Sequence, residues 1–372
     1  MRSGLQSYIP FVNDLKSLKS WIGSIGQRRH IQIAPKTDGI RVSYGHAHIP
    51  KSGEIAFGGI VKFQHLLPHY PNSPDLFNIL CLVSSRPPKS AHLIAKTAQK
   101  KGAKLVWNQN GIAYPASQPD WKARNAPMSK LFHLADYVFY QSEFCRLAAH
   151  EFLGERNGNG EILYNSVDIS TFTPAPTSPN GLNLLLGGTQ YQYYRFETAI
   201  QTLIQVQKDR PDARLLVTGA LCWHPDPKQA EQQAQTCITQ AGVIDSVEFI
   251  GPYTQHEAPS IFQRAHILLH TKYNDPCPGL VVEALACGLP IVYSHSGGVP
   301  ELVGEQAGIG IPAELNWEKD FPPDPNALSE AVLTISANRE PYAQAARARA
   351  VEKFNIEYWV KRYCETFEAL TQ

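Results

Sequence analysis

The stretch Asn274-Asp-Pro-Cys-Pro-Gly-Leu-Val-Val-Glu-Ala-Leu-Ala-Cys-Gly-Leu-Pro290 sets two carboxylates, Asp275 and Glu283, eight residues apart. A helix is predicted to start between them, because Pro278 suits a first turn, where a missing N–H costs nothing. Residues 279–287 are mainly apolar, as in a buried helix, and the glycine and proline that follow end it. A short apolar strand comes next. The stretch therefore predicts a loop, a helix and a strand of an α/β fold.

The start of this helix is a candidate anion site. The first-turn N–H groups, near Gly279 and Leu280, have no partner within the helix, and the helix dipole favours negative charge there. An acid on either side of an anion site implies a ligand with hydroxyls at both ends and phosphate between, and a nucleotide sugar fits. In the structural alternative, Asp275 is a loop acid and Glu283 an ordinary helix acid. For two isolated acids that alternative is favoured, and the surrounding residues reverse it.

Residues 275–301 resemble the donor-binding signature of retaining glycosyltransferases with the GT-B fold, glycosyltransferase family 4 (glycosyl transferases group 1). That signature reads Glu-x7-Glu, then Ala-x-Ala-x-Gly-x-Pro, a strand, Gly-Gly and Pro-Glu. Here Glu283 precedes Ala-Leu-Ala-Cys-Gly-Leu-Pro290, and Gly297-Gly-Val-Pro-Glu301 follows the strand. Asp275 replaces the first Glu of the signature. Its side chain is shorter by one methylene, so the loop must approach the sugar more closely.

Bulk composition excludes several classes of protein. At 372 residues the chain is long for one core and comfortable for two. A formal net charge of +1 gives no case for nucleic acid as a partner. No apolar run is long enough for a membrane span, and the N-terminus lacks a signal-peptide core. Seven cysteines without a Cys-x-x-Cys pair favour a reducing cytoplasm over a disulfide framework or structural zinc.

A linker divides two regions of alternating strands and helices. Residues 172–181 hold three prolines among small polar residues, which resist regular structure. The alternation is typical of βαβ units, with helices on both faces of parallel sheets. We predict two Rossmann-like domains, 1–175 on the acceptor side and 176–353 on the donor side, facing each other across a cleft. This is the GT-B architecture, in which an amphipathic final helix, here 354–372, packs back on the first domain.

The pattern assigns the individual elements as follows. The predicted strands cover residues 40–44, 77–83, 104–107, 137–140, 183–186, 214–217, 247–250, 267–270 and 291–293. The predicted helices cover residues 60–67, 91–101, 128–135, 145–152, 195–208, 226–241, 256–264 and 279–287.

Two further glycine pairs are candidate phosphate contacts. Gly58 and Gly59 open a predicted helix. Gly187 and Gly188, with Thr189 after them, follow a predicted strand. Glycines at such points let backbone N–H groups approach an anion, although a plain tight turn is the structural alternative. The resemblance implies that both segments lie near the donor diphosphate.

The expected diphosphate clamp departs from the family pattern. The family usually supplies an Arg and a Lys after the second glycine pair, where they neutralise the leaving nucleoside diphosphate. This sequence has neither at those positions. Arg195 and Lys272 are the nearest candidate cations, and a surface salt bridge is the structural alternative for each.

The acceptor side carries weaker signals. His46 and His48 share one face of a strand, but no Asp-x-Asp and no third histidine accompany them, so we predict no metal site. His46 is kept as a candidate acceptor contact. Asn108 and Asn110 follow a strand where many family members carry a histidine near the sugar. Their amides are candidates for hydroxyl contacts, with Asn-Gly turn chemistry as the alternative.

One basic amphipathic segment lies near the N-terminus, at residues 15–29. A helix packed on the first domain is the favoured interpretation. The alternative is peripheral contact with an anionic membrane, at its inner face for a cytoplasmic protein.

The resemblance implies an enzyme that transfers a sugar from a nucleoside diphosphate to an acceptor hydroxyl, retaining the anomeric configuration, without metal or cofactor. Glu283 would bind the ribose and Asp275 the sugar hydroxyls. Backbone at 278–280 and at 58–59 would hold the diphosphate. The acceptor would be a glycan, a lipid-linked molecule or a small molecule, in glycan, glycolipid or polysaccharide synthesis.

Other functions remain open at this point. A sugar-nucleotide epimerase or a phosphorylase has the same fold, although no cofactor lysine site of the glycogen phosphorylase type is evident. A non-catalytic sugar-nucleotide-binding protein is a further alternative, motivated by the substitution at Asp275 and the missing clamp. A dinucleotide oxidoreductase is disfavoured, because no Gly-x-Gly-x-x-Gly follows any predicted strand.

Overall fold

The computed structural model describes residues 29–51, 54, 59–177 and 180–372. Within these ranges the chain forms two large parallel sheets that are covered by helices on both faces. A small parallel pair of strands, β1 (Gln32–Ile33) and β3 (Leu76–Phe77), adjoins the first large sheet.

The first sheet runs in the order β2-β4-β5-β6-β7. Its strands are β2 (Val42–Ser43), β4 (Ile79–Val83), β5 (Lys104–Gln109), β6 (Tyr137–Tyr140) and β7 (Gly160–Ile162). Alternate residues of β4 enter different cores: Ile79, Cys81 and Val83 face one, and Leu80 and Leu82 face the other. Burial on both faces explains why this strand is an unbroken apolar run.

Helices on the two faces of this sheet include one from the far end of the chain. The helices in the first half are α1 (Ile60–Leu66), α2 (Ala91–Lys100), α3 (Trp121–Leu134) and α4 (Glu143–Leu153). The final helix, α12 (Ile356–Thr371), contributes Trp359, Tyr363 and Phe367 to the core that holds Val42 and Val106. The C-terminal segment therefore packs on the first sheet.

The second sheet runs in the order β10-β9-β8-β11-β12-β13, with all strands parallel. Its strands are β8 (Leu182–Leu186), β9 (Ala213–Thr218), β10 (Val247–Gly251), β11 (Ile267–His270), β12 (Ile291–His295) and β13 (Gly308–Pro312). This is the strand order of a Rossmann sheet. The direction of winding reverses between β8 and β11, so a crevice opens there at the carboxyl ends of the strands.

The remaining helices cover the second sheet. They are α5 (Tyr193–Val206), α6 (Pro227–Gln240), α7 (Ala258–Phe262), α8 (Gly279–Ala286), α9 (Val299–Val303), α10 (Pro325–Ala337) and α11 (Arg339–Lys353). Leu185 on β8 faces one core and Leu184 and Leu186 face the other, as in the first sheet.

Each strand and helix predicted within the described residues has a counterpart; the ends of β6 and β11 are as predicted, and the ends of the others are shifted. The largest shift is in α3, which begins at Trp121 rather than at residue 128. Pro127 lies inside this helix, where a proline is normally disfavoured, so the local sequence favours a later start. β13 is not among the predicted strands because its glycines and proline lower strand propensity. The domain boundary between residues 175 and 176 stays a prediction.

Candidate functional site

The carboxyl ends of the two sheets meet across a cleft. The loop after β11, residues 271–278 and here called the acidic loop, touches the loops after β5 and β6. A Cβ on Gly111 would lie 2.8 Å from Pro276 Cγ. The Ser142 hydroxyl donates to the Pro276 carbonyl oxygen at 2.6 Å. The switch point of the second sheet thus faces the first sheet at close range.

Asp275 is the anionic centre of the acidic loop. It is only 9% exposed. Its Oδ1 lies 3.2 Å from Lys272 Nζ and its Oδ2 lies 3.3 Å from His270 Nε2. Burial opposes ionisation, but Lys272 and His270 outweigh it and hold the pKa of Asp275 well below its usual range. Asp275 is therefore charged at neutral pH, and it neutralises Lys272, one of the two predicted phosphate cations.

The glycine pair after β12 shapes the backbone of this loop. A Cβ on Gly297, whose φ is +65°, would lie 2.4 Å from the Asp275 carbonyl oxygen. A Cβ on Gly298 would lie 2.0 Å from the Pro276 carbonyl oxygen. The Gly298 N–H donates to the Asp275 carbonyl at 2.9 Å. Asn274 adopts φ 49°, a conformation uncommon for a side-chain-bearing residue. The Gly-Gly motif and the acidic loop are thus one packed unit.

The N-terminus of α8 opens toward the cleft. Pro278 is the N-cap residue, with φ −70° and ψ 121°, one position before the first-turn site expected from the sequence. Among the described residues, no side chain caps this end. A Cβ on Gly279 would meet no atom of the described chain within 4 Å, so the helix start is open with respect to these residues. Leu280 packs on Gly187, where a Cβ would lie 2.6 Å from Leu280 Cδ1.

Glu283 lies one turn further along α8. Its side chain is half-buried, and Gln255 Nε2 donates to its Oε1 at 2.8 Å. Among the described residues, Oε2 accepts no hydrogen bond. Burial raises the pKa of Glu283, and the Gln255 hydrogen bond opposes that shift. One oxygen is therefore available to a ligand, and the two predicted acids lie on either side of the open helix start.

Arg195 braces a loop rather than facing open space. It is 4% exposed, and its guanidinium donates to the carbonyl oxygens of Thr189 at 2.9 Å and Gly187 at 3.3 Å. The N–H of Gly188, which has φ +79°, donates to Thr218 Oγ1 at 3.2 Å. The predicted phosphate loop after β8 is therefore internally bonded, with Arg195 behind it.

The first-sheet wall of the cleft comprises Gly59, Lys62, Ser85 and Asn110, with Asn108 buried behind Lys62. The Gly59 N–H and the Asn110 side-chain amide both donate to Ser85 Oγ at 3.0 Å. Asn110 Oδ1 is buried without a partner among the described residues. The predicted contact at Gly58 lies outside the described residues.

Lys62 was not predicted as a site residue. Its Nζ donates to Asn108 Oδ1 at 2.8 Å, and burial lowers the pKa of Lys62 to about 8. Asn108 is 0% exposed and donates to the Tyr363 hydroxyl at 2.8 Å, so it supports Lys62 from behind instead of lining the cleft surface. The one sequence signal was a lysine in the first turn of a helix that a glycine pair opens.

Glu301, at the end of the Pro-Glu motif, links the two sides of the cleft. Its carboxylate accepts hydrogen bonds from the backbone N–H groups of Glu143 at 2.7 Å and Phe144 at 2.9 Å. A side chain from the second sheet therefore caps α4, a helix of the first sheet. Burial raises the pKa of Glu301.

Two remaining predictions concern the periphery. His46 Nε2 lies 3.1 Å from the Arg86 carbonyl oxygen, at the edge of the first sheet. The segment 15–29 lies outside the described residues except for Arg29. In the described part of the chain, no helix has both the length and the apolarity that a bilayer span requires.

Part of the chain matches the model of a known protein family. Residues 184–350 match the family model for glycosyl transferases group 1, a span somewhat under half of the chain that runs from within β8 to within α11. The two facing sheets form a GT-B fold, and most of the second half of the chain is similar to glycosyl transferases group 1.

Two of the proteins with similar sequences are glycosyltransferases. A D-inositol 3-phosphate glycosyltransferase of Mycobacteroides abscessus is 26% identical over 161 residues, 41% of this chain and 35% of the relative. The amylovoran biosynthesis glycosyltransferase AmsK of Erwinia amylovora is 28% identical over 149 residues, 38% of this chain and 35% of the relative. The matched part of the chain thus spans about a third of the length of these relatives.

Solved structures share the fold over most of the chain. Sucrose-phosphate synthase from Thermosynechococcus elongatus superposes with a TM-score of 0.64 at 17% identity, covering 83% of this chain and 76% of the other. Anabaena HepE, solved in complex with UDP-glucose, superposes with a TM-score of 0.62 at 18% identity, covering 83% and 82%.

Proposed function

We propose that this protein is a retaining, metal-independent glycosyltransferase of family 4 that moves a sugar from a nucleoside diphosphate to an acceptor hydroxyl. The carrying observation is the arrangement at the switch point of the second sheet. There Asp275 and Glu283 lie on either side of the uncapped start of α8, within the span that matches glycosyl transferases group 1. An uncapped helix start between two acids suits a ligand with phosphate in the middle and hydroxyls at both ends.

The two acids have different electrostatics, which supports different roles. Asp275 is held ionised beside Lys272 and His270, so it is a strong acceptor for sugar hydroxyls. One oxygen of Glu283 has no hydrogen-bond partner in the described part of the chain, and Glu283 is assigned to the ribose. The backbone at Pro278, Gly279 and Leu280 is assigned to the diphosphate.

The reaction needs a stabilised leaving group more than it needs an enzyme nucleophile. The bond between the anomeric carbon and the phosphate oxygen breaks, and the acceptor oxygen bonds to the same face of the sugar. The acceptor proton passes to the departing phosphate oxygen. Negative charge therefore grows on the diphosphate, where the α8 dipole and nearby cations act on it. Arg195 contributes through the loop that it braces, and Lys272 through its pair with Asp275.

The remaining parts of the proposal concern the acceptor, the two domains, the location and the cofactor. The first-sheet wall would receive a glycan, a lipid-linked molecule or a small-molecule acceptor, with His46 and Asn110 as candidate contacts. Residues 1–175 would act as the acceptor-side domain and 176–353 as the donor-side domain. We further propose a cytoplasmic location, no cofactor, and residues 15–29 as the candidate contact with a membrane.

Ligand binding tests the proposal first. A thermal-shift screen should compare nucleosides, nucleoside diphosphates and nucleotide sugars built on uracil, guanine, adenine, cytosine and thymine. We expect one base series to raise Tm, with the diphosphate and its sugar more effective than the nucleoside. If no nucleoside diphosphate binds by calorimetry at millimolar concentration, the proposal is wrong.

Product analysis then separates the enzyme classes. Incubation of the binding nucleotide sugar without acceptor should leave the sugar stereochemistry unchanged. Appearance of an epimer would identify an epimerase instead. Tight donor binding with no nucleoside diphosphate released against any acceptor extract would identify a binding protein.

A further inference from the structure

Lys62 is a half-buried ammonium group without a carboxylate partner among the described residues. Its Nζ donates to the neutral amide oxygen of Asn108 at 2.8 Å. Burying a charge without an opposite charge is unfavourable, and burial accordingly lowers the pKa of Lys62 to about 8. The fold thus holds a cation at a place where nothing in the described chain neutralises it.

Lys62 faces the acidic loop across the cleft. Its partner Asn108 also accepts from Gln141 Nε2 at 3.3 Å, and the next residue, Ser142, donates to the Pro276 carbonyl oxygen at 2.6 Å. Two thiols lie in this region: Cys277 is part of the acidic loop, and Cys145 Sγ lies 3.9 Å from the same Pro276 oxygen. Burial raises the pKa of Cys145 to about 12 and that of Cys277 further above its usual range, so both are neutral. The ammonium therefore lies close to the segment that precedes the open start of α8.

Within the described ranges, the other titratable groups near Lys62 carry no compensating charge. Burial raises the pKa of the Cys81 thiol, which lies on the strand beneath α1. Burial and the Lys62 charge lower the pKa of His65 to about 4, so its imidazole is neutral at pH 7.

Three separate segments hold Lys62 in position. Asn108 Oδ1 also accepts from Gln141 Nε2 at 3.3 Å, and Asn108 Nδ2 donates to the Tyr363 hydroxyl at 2.8 Å. Asn108 lies on β5, Gln141 directly follows β6, and Tyr363 lies on α12. A cation fixed in this way stabilises developing negative charge without rearrangement.

The other two candidate cations are already engaged. The Arg195 guanidinium donates to two backbone carbonyls, and Lys272 pairs with Asp275 at 3.2 Å. We propose that Lys62 is the residue that binds the donor diphosphate from the first-sheet side and neutralises it as it leaves. This inference rests on the proposed glycosyltransferase function. In the transfer step the Lys62 ammonium keeps its proton, and the acceptor proton goes to the departing phosphate oxygen.

Calorimetry with UDP and uridine as probes tests the contact, with the corresponding pair of another base if the wild type prefers it. Lys62→Gln should weaken binding of the diphosphate about ten- to a hundredfold and leave nucleoside binding unchanged, since a charge-assisted contact is lost. Lys62→Arg keeps the charge and should restore much of the loss. Lys101→Gln is the control, because Lys101 Nζ donates to the Ile31 carbonyl away from the cleft.

The pH dependence gives a readout that a purely structural role would not change. Lys62 is charged below its pKa of about 8 and neutral above it. The ratio of diphosphate to nucleoside affinity in the wild type should therefore fall between pH 7 and pH 10. A bound anion favours the charged lysine and raises its pKa in the complex, so the decrease in the affinity ratio lies in the upper part of that pH range. Lys62→Arg should show no such fall.

The outcomes separate the two proposals. If Lys62→Gln binds diphosphate and nucleoside as the wild type does, the Lys62 inference is overturned and the glycosyltransferase proposal stands. If it loses both ligands equally, Lys62 has only a structural role and the inference is again wrong. If the wild type binds no nucleoside diphosphate of any base, both proposals fail.

Discussion

The two walls of the cleft are built in opposite ways. The second-sheet wall comes mainly from one stretch, residues 270–301. In this stretch the end of β11, the acidic loop, α8, β12 and the glycine pair follow in that order. The first-sheet wall is assembled from Gly59, Lys62, Ser85 and Asn110, and it is supported from behind by Asn108 and by Tyr363 near the C-terminus. The first kind of wall can be recognised as a motif, whereas the second exists only after the chain has folded.

This difference predicts how each wall responds to substitution. Changes in the second-sheet wall should act directly on ligand contacts or on the backbone that forms them. Apart from the direct diphosphate contact proposed for Lys62, changes in the first-sheet wall should act through supporting hydrogen bonds and have smaller effects.

The largest expected effect is on turnover, from Asp275→Asn. The change removes the anion that pairs with Lys272 and neighbours His270, and with it the proposed sugar contact. We expect nucleoside diphosphate release to slow by about a hundredfold or more, of the order seen when one preorganised charge-stabilising group is lost. Steady-state kinetics measure this. Asp120→Asn, at an exposed acid that pairs with Arg124, is the control and should keep full activity. A variant within twofold of wild type would remove Asp275 from the site.

Gly298→Ala should cause the next largest effect, on stability. The new methyl would lie 2.0 Å from the Pro276 carbonyl and 2.8 Å from Ser142 Oγ, so the two walls must separate. We expect the free energy of unfolding to fall by about 1–3 kcal/mol in urea titrations. Gly279→Ala meets no atom within 4 Å and should be near neutral for stability. Equal stabilities for the two variants would contradict the packed unit of glycine pair and acidic loop.

Glu301→Gln should have a moderate effect, on the join between the walls. The carboxylate accepts two backbone N–H groups at the start of α4, and an amide offers only one acceptor oxygen. Loss of about 1 kcal/mol of stability is expected for an impaired helix cap. Glu305→Gln, at an exposed acid a few residues on, is the matched control. If both variants unfold at the same urea concentration as the wild type, Glu301 does not hold the walls together.

The smallest expected effect comes from Tyr363→Phe. It removes the hydroxyl that accepts from Asn108, which in turn orients Lys62. We expect roughly threefold weaker binding of the nucleoside diphosphate and unchanged binding of the nucleoside, because a supporting hydrogen bond contributes modestly. Tyr358→Phe, at a 52% exposed tyrosine of the same helix, controls for the loss of a phenol. A Tyr363→Phe variant that loses affinity for both ligands would point to a general change in the fold.

The same contrast explains what the sequence could predict. The α/β class, the parallel sheets and the acidic loop before α8 follow from apolar runs, helix-ending glycine and local motif spacing. Such features depend on neighbours in the chain. The open N-terminus of α8 and the packing of the glycine pair on the backbone at Asp275 also involve residues that are near one another in the chain.

Other features depend on contacts that no local pattern contains. Arg195 has the charge of a phosphate ligand, yet its guanidinium is directed to carbonyls of a loop whose backbone cannot be derived from sequence. Asn108 has the chemistry of a surface ligand, but the return of α12 buries it behind Lys62. Lys62 itself is defined by Asn108 and the acidic loop, which are distant in sequence.

The most direct test of the whole account is nucleoside diphosphate release from the preferred nucleotide sugar by the wild type and by Glu283→Ala. Glu330→Ala, at an exposed acid on α10, serves as the control. We expect the wild type and the control to release the diphosphate only when an acceptor is present. Glu283→Ala should require a much higher donor concentration because the ribose contact is lost. Unchanged turnover and donor requirement in Glu283→Ala would contradict the assignment of this cleft as the donor site.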